Sequence, residues 1–283
     1  MCLVLVGWRT HPDYRLIVAA NRDEYHVRRS TSLQLWPETQ GLIAGRDLDS
    51  GTTTPGVWLG FRSSAPDYRF AAITNVHASG EAGPEAGSRG SLARDFLSDD
   101  ASSPGEFAQR SATTADAYQG YQLLISDTRE MWWSSNEATP SPMRLQPGFY
   151  AIGNDRCLHT LSGRGDAVSP RAAMPLKARR GLEAFATIVD TAADDVESYF
   201  TMLSDRTPVP VEDGQADNLP PTLHRLFSAR FVSNTLYGTR SSTVILVGED
   251  GTYSLGERSY GPRGRWLGEV AFDGRLAHMG GAR

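Results

Sequence analysis

The chain has 283 residues, 40% of them hydrophobic and 22% charged, with 28 Lys+Arg against 33 Asp+Glu and a formal charge of -5. That balance argues against a mainly electrostatic nucleic-acid binder, which needs a basic face. Two cysteines cannot make a disulfide scaffold, and no apolar run approaches the ~18 residues that span a bilayer.

Residues 1–8 are apolar, but Arg9, His11, Asp13 and Arg15 follow at once. With no basic leader and so short a run, the segment reads as a strand rather than a secretory signal. A reducing cytoplasm is then expected, with Cys2 and Cys157 as free thiols. Residues 14–21 read as a second strand, and His11-Pro12-Asp13 as the turn of a hairpin. The polar stretch 22–54 reads mostly as loop. Strands are expected over 57–61 and 69–74, then a Gly/Ala/Glu/Ser loop over 77–90. Apolar spacing predicts helices over 91–97 and 104–118, followed by a hairpin of 121–126 with 130–133. Residues 175–189 form an amphipathic pattern with Pro in the first turn, and 196–203 and 222–231 continue a helical layer. Residues 242–247, 252–258 and 267–272 read as antiparallel neighbours. Hairpins with segregated helices predict an α+β chain of antiparallel sheets rather than a doubly wound parallel one. No dividing linker or internal repeat is visible, so 1–283 reads as a single domain.

Cys2 is the sharpest chemical feature. Removal of Met1 before so small a residue would leave a thiol and a free α-amine on one residue. That amine has a pKa near ~7.7–8.0 and is partly a neutral base near pH 7, so the thiol would carry its own general base. Equally, Cys2 can be a small buried hydrophobe on a first strand. Asn21-Arg22-Asp23-Glu24 ends the second strand, and the hairpin returns it toward Cys2. A cation there would lower the thiol pKa, and a carboxylate would hold the ammonium. In isolation the four residues also fit a solvated strand end. Lys177 is the single lysine, and nothing around it in sequence marks an active site.

Met1-Cys2, Ala19-Ala20-Asn21-Arg22-Asp23-Glu24, Thr74-Asn75 and Tyr237-Gly238-Thr239-Arg240 together resemble the NRDE family, the transport and Golgi organisation protein 2 family. Gly45-Arg46-Asp47, Gly56-Val57-Trp58-Leu59-Gly60 and Ser88-Arg89-Gly90 resemble its recurrent segments, in order along nearly the whole chain. The family is similar to N-terminal nucleophile (Ntn) hydrolases of the choloylglycine hydrolase and penicillin acylase branch. The resemblance therefore implies a four-layer αββα sandwich of two mainly antiparallel sheets. It also implies that Cys2 attacks an amide or acyl carbonyl with its own amine as base. Asn75 then matches a residue that stabilises the oxyanion, Asn154 a second Asn near the amine, and Arg240 a late Arg beside the thiol. Both asparagines also fit strand-end turn chemistry.

One departure stands out. In the acylase pattern Arg and Asp are separated by two residues, whereas Arg22 and Asp23 are adjacent. Strand neighbours point to opposite faces, so either Asp23 reaches Cys2 after a bend or Glu24 takes the carboxylate role, paired with Asn21.

Two functions follow. The first is an enzyme forming a Cys2 thioester that water resolves (amidohydrolase) or an amine resolves (acyltransferase), with a small amide or acyl substrate, no cofactor and no metal. The second is a cytoplasmic carrier of haem or lipid, suggested by the family's links to haem trafficking and lipid homeostasis. No residue is an evident axial ligand for haem; His77, beside Asn75, and Cys2 are the candidates. The six histidines show no zinc spacing, Cys157-Leu158-His159 lacks the haem-attachment pattern, and Gly163-Arg164-Gly165 lacks the context of a phosphate loop. Trp132-Trp133 reads as a hairpin edge plus core.

Overall fold

Alternation along the first two strands sets the layers. β1 (Leu3–Trp8) and β2 (Tyr14–Tyr25) pair antiparallel, with Leu3 opposite Asn21 and Trp8 opposite Leu16. Leu3, Leu5, Ile17 and Ala19 enter one buried cluster, whereas Val4, Val6, Trp8, Leu16, Val18 and Ala20 enter another. A strand apolar on both faces must be covered on both. The computed structural model describes residues 2–51, 53–63, 67–76, 87–139, 141–161, 168–169, 174–210 and 225–276.

The remaining strands are β3 (Gln34–Leu35), β4 (Leu42–Ala44), β5 (Leu59–Ser63), β6 (Tyr68–Asn75), β7 (Tyr121–Ser126), β8 (Met131–Ser135), β9 (Met143–Leu145), β10 (Gly148–Ile152), β11 (Leu158–Thr160), β12 (Val168–Ser169), β13 (Tyr237–Gly248), β14 (Thr252–Gly261) and β15 (Arg265–Arg275). They form an eight-stranded sheet in the order β12-β11-β10-β1-β2-β13-β14-β15 and a seven-stranded sheet from β3 to β9 in chain order. Pairing is antiparallel except between β11 and β12.

Among the described residues, four helices of eight or more residues cover the outer faces. α1 (Gly90–Ser98) and α2 (Pro104–Ala112) pack Leu92, Phe96 and Phe107 onto Ala71, Ile73, Leu123 and Ile125 of the seven-stranded sheet. α3 (Leu176–Ala192) and α4 (Val196–Leu203) pack Leu182, Phe185 and Phe200 onto Leu3, Leu5, Ala19 and Val244 of the other. Between the sheets, Val6, Val18, Phe61, Phe70, Leu124 and Trp133 form the central core. Each such side chain contributes roughly 1.5–3 kcal/mol by leaving water. Ser103 and Glu106 cap α2 reciprocally around Pro104, a start signal legible in the sequence. Gly181 lets α3 lie close to β1, since a Cβ there would stand 3.2 Å from Leu3 Cδ2. The layers run helix, sheet, sheet, helix, and the α+β sandwich stands as expected.

Three local expectations need correction. The stretch 22–54 is not mostly loop at its start: β2 continues through Tyr25, and β3 and β4 lie within it. Pairing with β13 supplies partners for those polar residues, which no local pattern reveals. The helix expected over 104–118 stops at Ala112, followed by one 3-10 turn at Ala115–Ala117. In the segment expected to be helical over 222–231, residues 222–224 lie outside the described residues, 225–227 are helical and 228–231 are not.

Candidate functional site

β1 lies between β10 and β2, with Val4 opposite Ile152 and Leu3 opposite Asn21. Continuing both registers past the end of β1 sets Cys2 between Asn154 and Arg22. Arg22 faces Ser241 on β13, and Ser241 faces Ser259 on β14. Directly opposite residues share a face, so Asn154, Cys2, Arg22, Ser241 and Ser259 form one cross-strand row. Val4 and Ala20, two positions from Cys2 and Arg22, lie in the inter-sheet core, so the row faces the other sheet.

Cys2 keeps some surface as a residue, but its sulfur is the enclosed part. Burial pushes the thiol above its ordinary value and the Asp23 charge adds to that, while the N-terminal ammonium and, less strongly, the Arg22 guanidinium oppose it. Sγ donates to Asp23 O at 3.6 Å. Asn154 is 9% exposed, and its Nδ2 donates to Asn75 O at 2.8 Å, tying the eight-stranded sheet to the end of β6. That bond to a carbonyl fixes the amide orientation, and it leaves Oδ1 buried and, among the described residues, without a hydrogen-bond partner. The loop carrying Asn154 is held by Gln122, which donates to Asp155 O at 2.8 Å and accepts from Trp133 Nε1 at 3.0 Å. A Cβ on Gly153 would stand 3.8 Å from Cys2 O, so this loop passes directly beside the thiol residue. The Asn75 side chain is exposed; the contribution of Asn75 inside the site is its carbonyl.

The polar end of β2 alternates without a bend. Asn21 points to the helical side, donating to Leu203 O and Arg230 O, both at 2.9 Å, and accepting from Ser242 Oγ at 2.6 Å. Arg22 points between the sheets, donating to Ser30 Oγ at 3.3 Å and approaching Asp47 Oδ2 at 3.9 Å. Asp23 returns to the helical side, where its carboxylate meets Lys177 Nζ at 3.2 Å and accepts from Thr239 Oγ1 at 2.7 Å. Asp23 therefore hydrogen-bonds Cys2 through its backbone carbonyl, and its side chain lies on the face away from the row. Glu24 lies one residue beyond Asp23, accepting from Tyr25 N at 2.8 Å and standing 3.9 Å from Arg28 Nε. It is not paired with Asn21, which bonds elsewhere.

Lys177, dismissed on its sequence context, is 9% exposed in the first turn of α3. A cation there has the wrong sign for the helix dipole, and Asp23 compensates it. Its place 154 residues from Asp23 leaves no local signal. Tyr237 adds its hydroxyl to Asp23 O at 3.1 Å, and burial, with the Asp23 charge, pushes its pKa up. Arg89 was also missed as a site residue, although its motif was visible. It donates to Gly120 O at 2.8 Å; burial lowers its pKa while the nearby Cys2 raises it.

Arg240 is placed differently from the expectation that sets it beside the thiol. Thr239 pairs with Asp23 and Ser241 with Arg22, so Arg240 is the extra residue of a bulge. Its Nη1 donates to Tyr25 O at 3.0 Å and Arg28 O at 2.9 Å, clasping the turn after β2. Of Arg22 and Arg240, it is Arg22 whose charge bears on Cys2. A cavity of about 90 Å³ opens beside Arg22 and Arg240, with Trp58 and Glu257 also in its wall.

Among the described residues no group of three His, Cys, Asp or Glu could hold a metal ion. Also among them, no helix is long and apolar enough to cross a membrane. Met1, His77, most of the loop 77–90 and Gly163-Arg164-Gly165 lie outside the described residues.

Comparison with known proteins matches residues 1–262 to the family model described as Transport and Golgi organisation 2. The Mus musculus "Transport and Golgi organization 2 homolog" is 28% identical over 276 residues, covering 92% of this chain and 93% of the relative. The Homo sapiens "Transport and Golgi organization protein 2 homolog" matches at the same identity and coverage. The Drosophila melanogaster "Transport and Golgi organization protein 2" is 32% identical over 101 residues, 34% of this chain and 35% of its own.

Proposed function

The chain belongs to the Transport and Golgi organisation 2 family, and from that premise we propose that it is an N-terminal cysteine enzyme acting on an amide or acyl substrate through a Cys2 thioester. The observation that carries this reading is Asn154 Oδ1, buried on the loop beside Cys2 and, among the described residues, without a hydrogen-bond partner. An acceptor without a donor is costly when buried. An α-amine on Cys2, freed by removal of Met1, would supply the donor. That amine takes the thiol proton, and the sulfur attacks the carbonyl carbon. Asn154 Nδ2 has a second N–H beyond the one given to Asn75 O, and it is the donor for the developing oxyanion. Collapse of the adduct breaks the bond to the leaving group, which departs with the proton held by the amine. Water or an amine then resolves the thioester. Arg22 offsets the burial that disfavours the thiolate.

The test is acyl labelling. Wild-type protein whose intact mass lacks Met1 is mixed with p-nitrophenyl esters of graded chain length, quenched in acid and mapped by mass. An acyl adduct on Cys2, absent from Cys2→Ala, is expected. Turnover unchanged in Cys2→Ala overturns the reading.

A second reading, drawn from the family resemblance, is carriage of haem or lipid without catalysis. Saturable perturbation of the Soret band on haem titration, with no Cys2 adduct, would select it.

A further inference from the structure

Four segments distant in sequence meet at the cavity beside Arg22. Arg22 comes from the end of β2, Arg46 and Asp47 from the Gly45-Arg46-Asp47 segment, Trp58 from the segment before β5, and Arg240 from the bulge of β13. The mechanism above uses only the first of them.

The charge in this wall is not balanced from within. Asp47 is taken by Arg28, whose Nε and Nη2 reach it at 2.7–3.1 Å. Glu257 is 2% exposed and accepts from neutral donors, Leu33 N at 2.8 Å and Thr243 Oγ1 at 3.1 Å, with the Ser241 hydroxyl and the Arg22 charge also acting on it. Burial favours its protonated form. Arg22 is 6% exposed, yet among the described residues it donates one hydrogen bond, at 3.3 Å, and comes no nearer than 3.9 Å to Asp47. A guanidinium has five N–H donors, and buried charges normally have partners that fill them. Arg240 commits Nη1 to backbone carbonyls. Its burial, followed by the charge of Arg22, lowers its pKa. Two cations stand together with less anion between them than they need. Ser30 and Ser241 add hydroxyls to the same wall.

We propose that this cavity binds the oxyanion of a small organic ligand, a carboxylate or a phosphate, held by Arg22 and Arg240. Ser241 stands two strands from Cys2 in the same row, about 10 Å at ~4.8 Å per strand. Resting on the thioester reading, the cavity defines the substrate class: an amide or acyl compound with an anionic group roughly that far from the carbonyl under attack.

Binding is testable apart from catalysis, on a full-length Cys2→Ser chain. Glutarate and inorganic phosphate are titrated, with glutaramide as the neutral isostere, while NMR follows the Trp58 indole and the arginine Nε–H signals. A saturable shift at Trp58 and Arg22 with one of the anions, and none with glutaramide, is expected. Arg22→Gln should weaken it roughly 10–100-fold, the scale of a lost charge-assisted hydrogen bond. Arg240→Gln serves as the second variant where Arg22→Gln lowers the melting temperature. Saturation by glutarate alone assigns a carboxylate, and by phosphate alone a phosphate. No saturable shift with either anion, or an equal one with glutaramide, overturns the proposal. Anion binding without a Cys2 adduct in the wild type sinks the enzyme reading alone, and an adduct without anion binding sinks the anion site alone.

Discussion

Arg22 and Asp23 are sequence neighbours, yet they occupy opposite environments. On the helical side, Asp23 is enclosed by Lys177, Thr239 and the fold's outer core, with each carboxylate oxygen bonded. On the inter-sheet side, Arg22 has, among the described residues, one long hydrogen bond and a cavity beside it. The first arrangement resembles a structural rivet, and the second retains capacity for a ligand. Alternation along one strand thus lets a single polar run stabilise the sandwich and furnish a binding wall.

The contrast can be broken most forcefully on the Asp23 side. Lys177→Met leaves a buried carboxylate without its cation, and urea unfolding should show a loss of about 3–5 kcal/mol; an unchanged midpoint would remove the rivet. Next is Asn154→Ala. Removing an oxyanion donor should lower kcat by about 100–1000-fold, or ~2.7–4 kcal/mol, with the acyl-labelling assay as readout. A loss confined to KM would instead make Asn154 a binding residue.

The cavity side yields a pH signature. Burial raises the folded pKa of Glu257 above its unfolded value, so the native state binds more protons between the two values. Its contribution to stability is present below the unfolded pKa and is lost as pH rises through the folded one. Glu257→Gln should therefore gain stability relative to wild type at neutral pH, with the gap closing toward the unfolded carboxylate pKa in urea titrations at stepped pH. The smallest effect concerns the thiol. In a Cys157→Ser background, the iodoacetamide reactivity of Cys2 should titrate above an ordinary cysteine, because burial dominates. Arg22→Gln should move that midpoint higher still by removing the opposing cation. A downward move would mean that Arg22 does not act on the sulfur.

Much of the frame was legible. The strand at 2–8, the hairpin at 121–126 with its partner, the Pro-led α3 and the start of α2 follow from local periodicity and turn chemistry. The elements that escaped are short, such as β3, β4 and β11, where two or three residues offer no period to read. Within the site, alternation correctly separated Arg22 from Asp23, and it left open which carboxylate would approach Cys2. The adjacency of Asn154 to Cys2 required β10 to pair with β1, about 150 residues away. Lys177 escaped because a lysine in a helical first turn looks solvent-facing until its long-range partner is known.

From the residues alone came the kind of chemistry available at Cys2, the family resemblance and the alternating faces of β2, because these depend on covalent order and short-range sterics. Tertiary pairing decided which side chains share the row, that Lys177 neutralises Asp23, and that Arg22, Arg46 and Arg240 converge on one cavity. Those outcomes depend on strand order and bulge position, which are set by burial summed over the whole sandwich rather than by any local stretch.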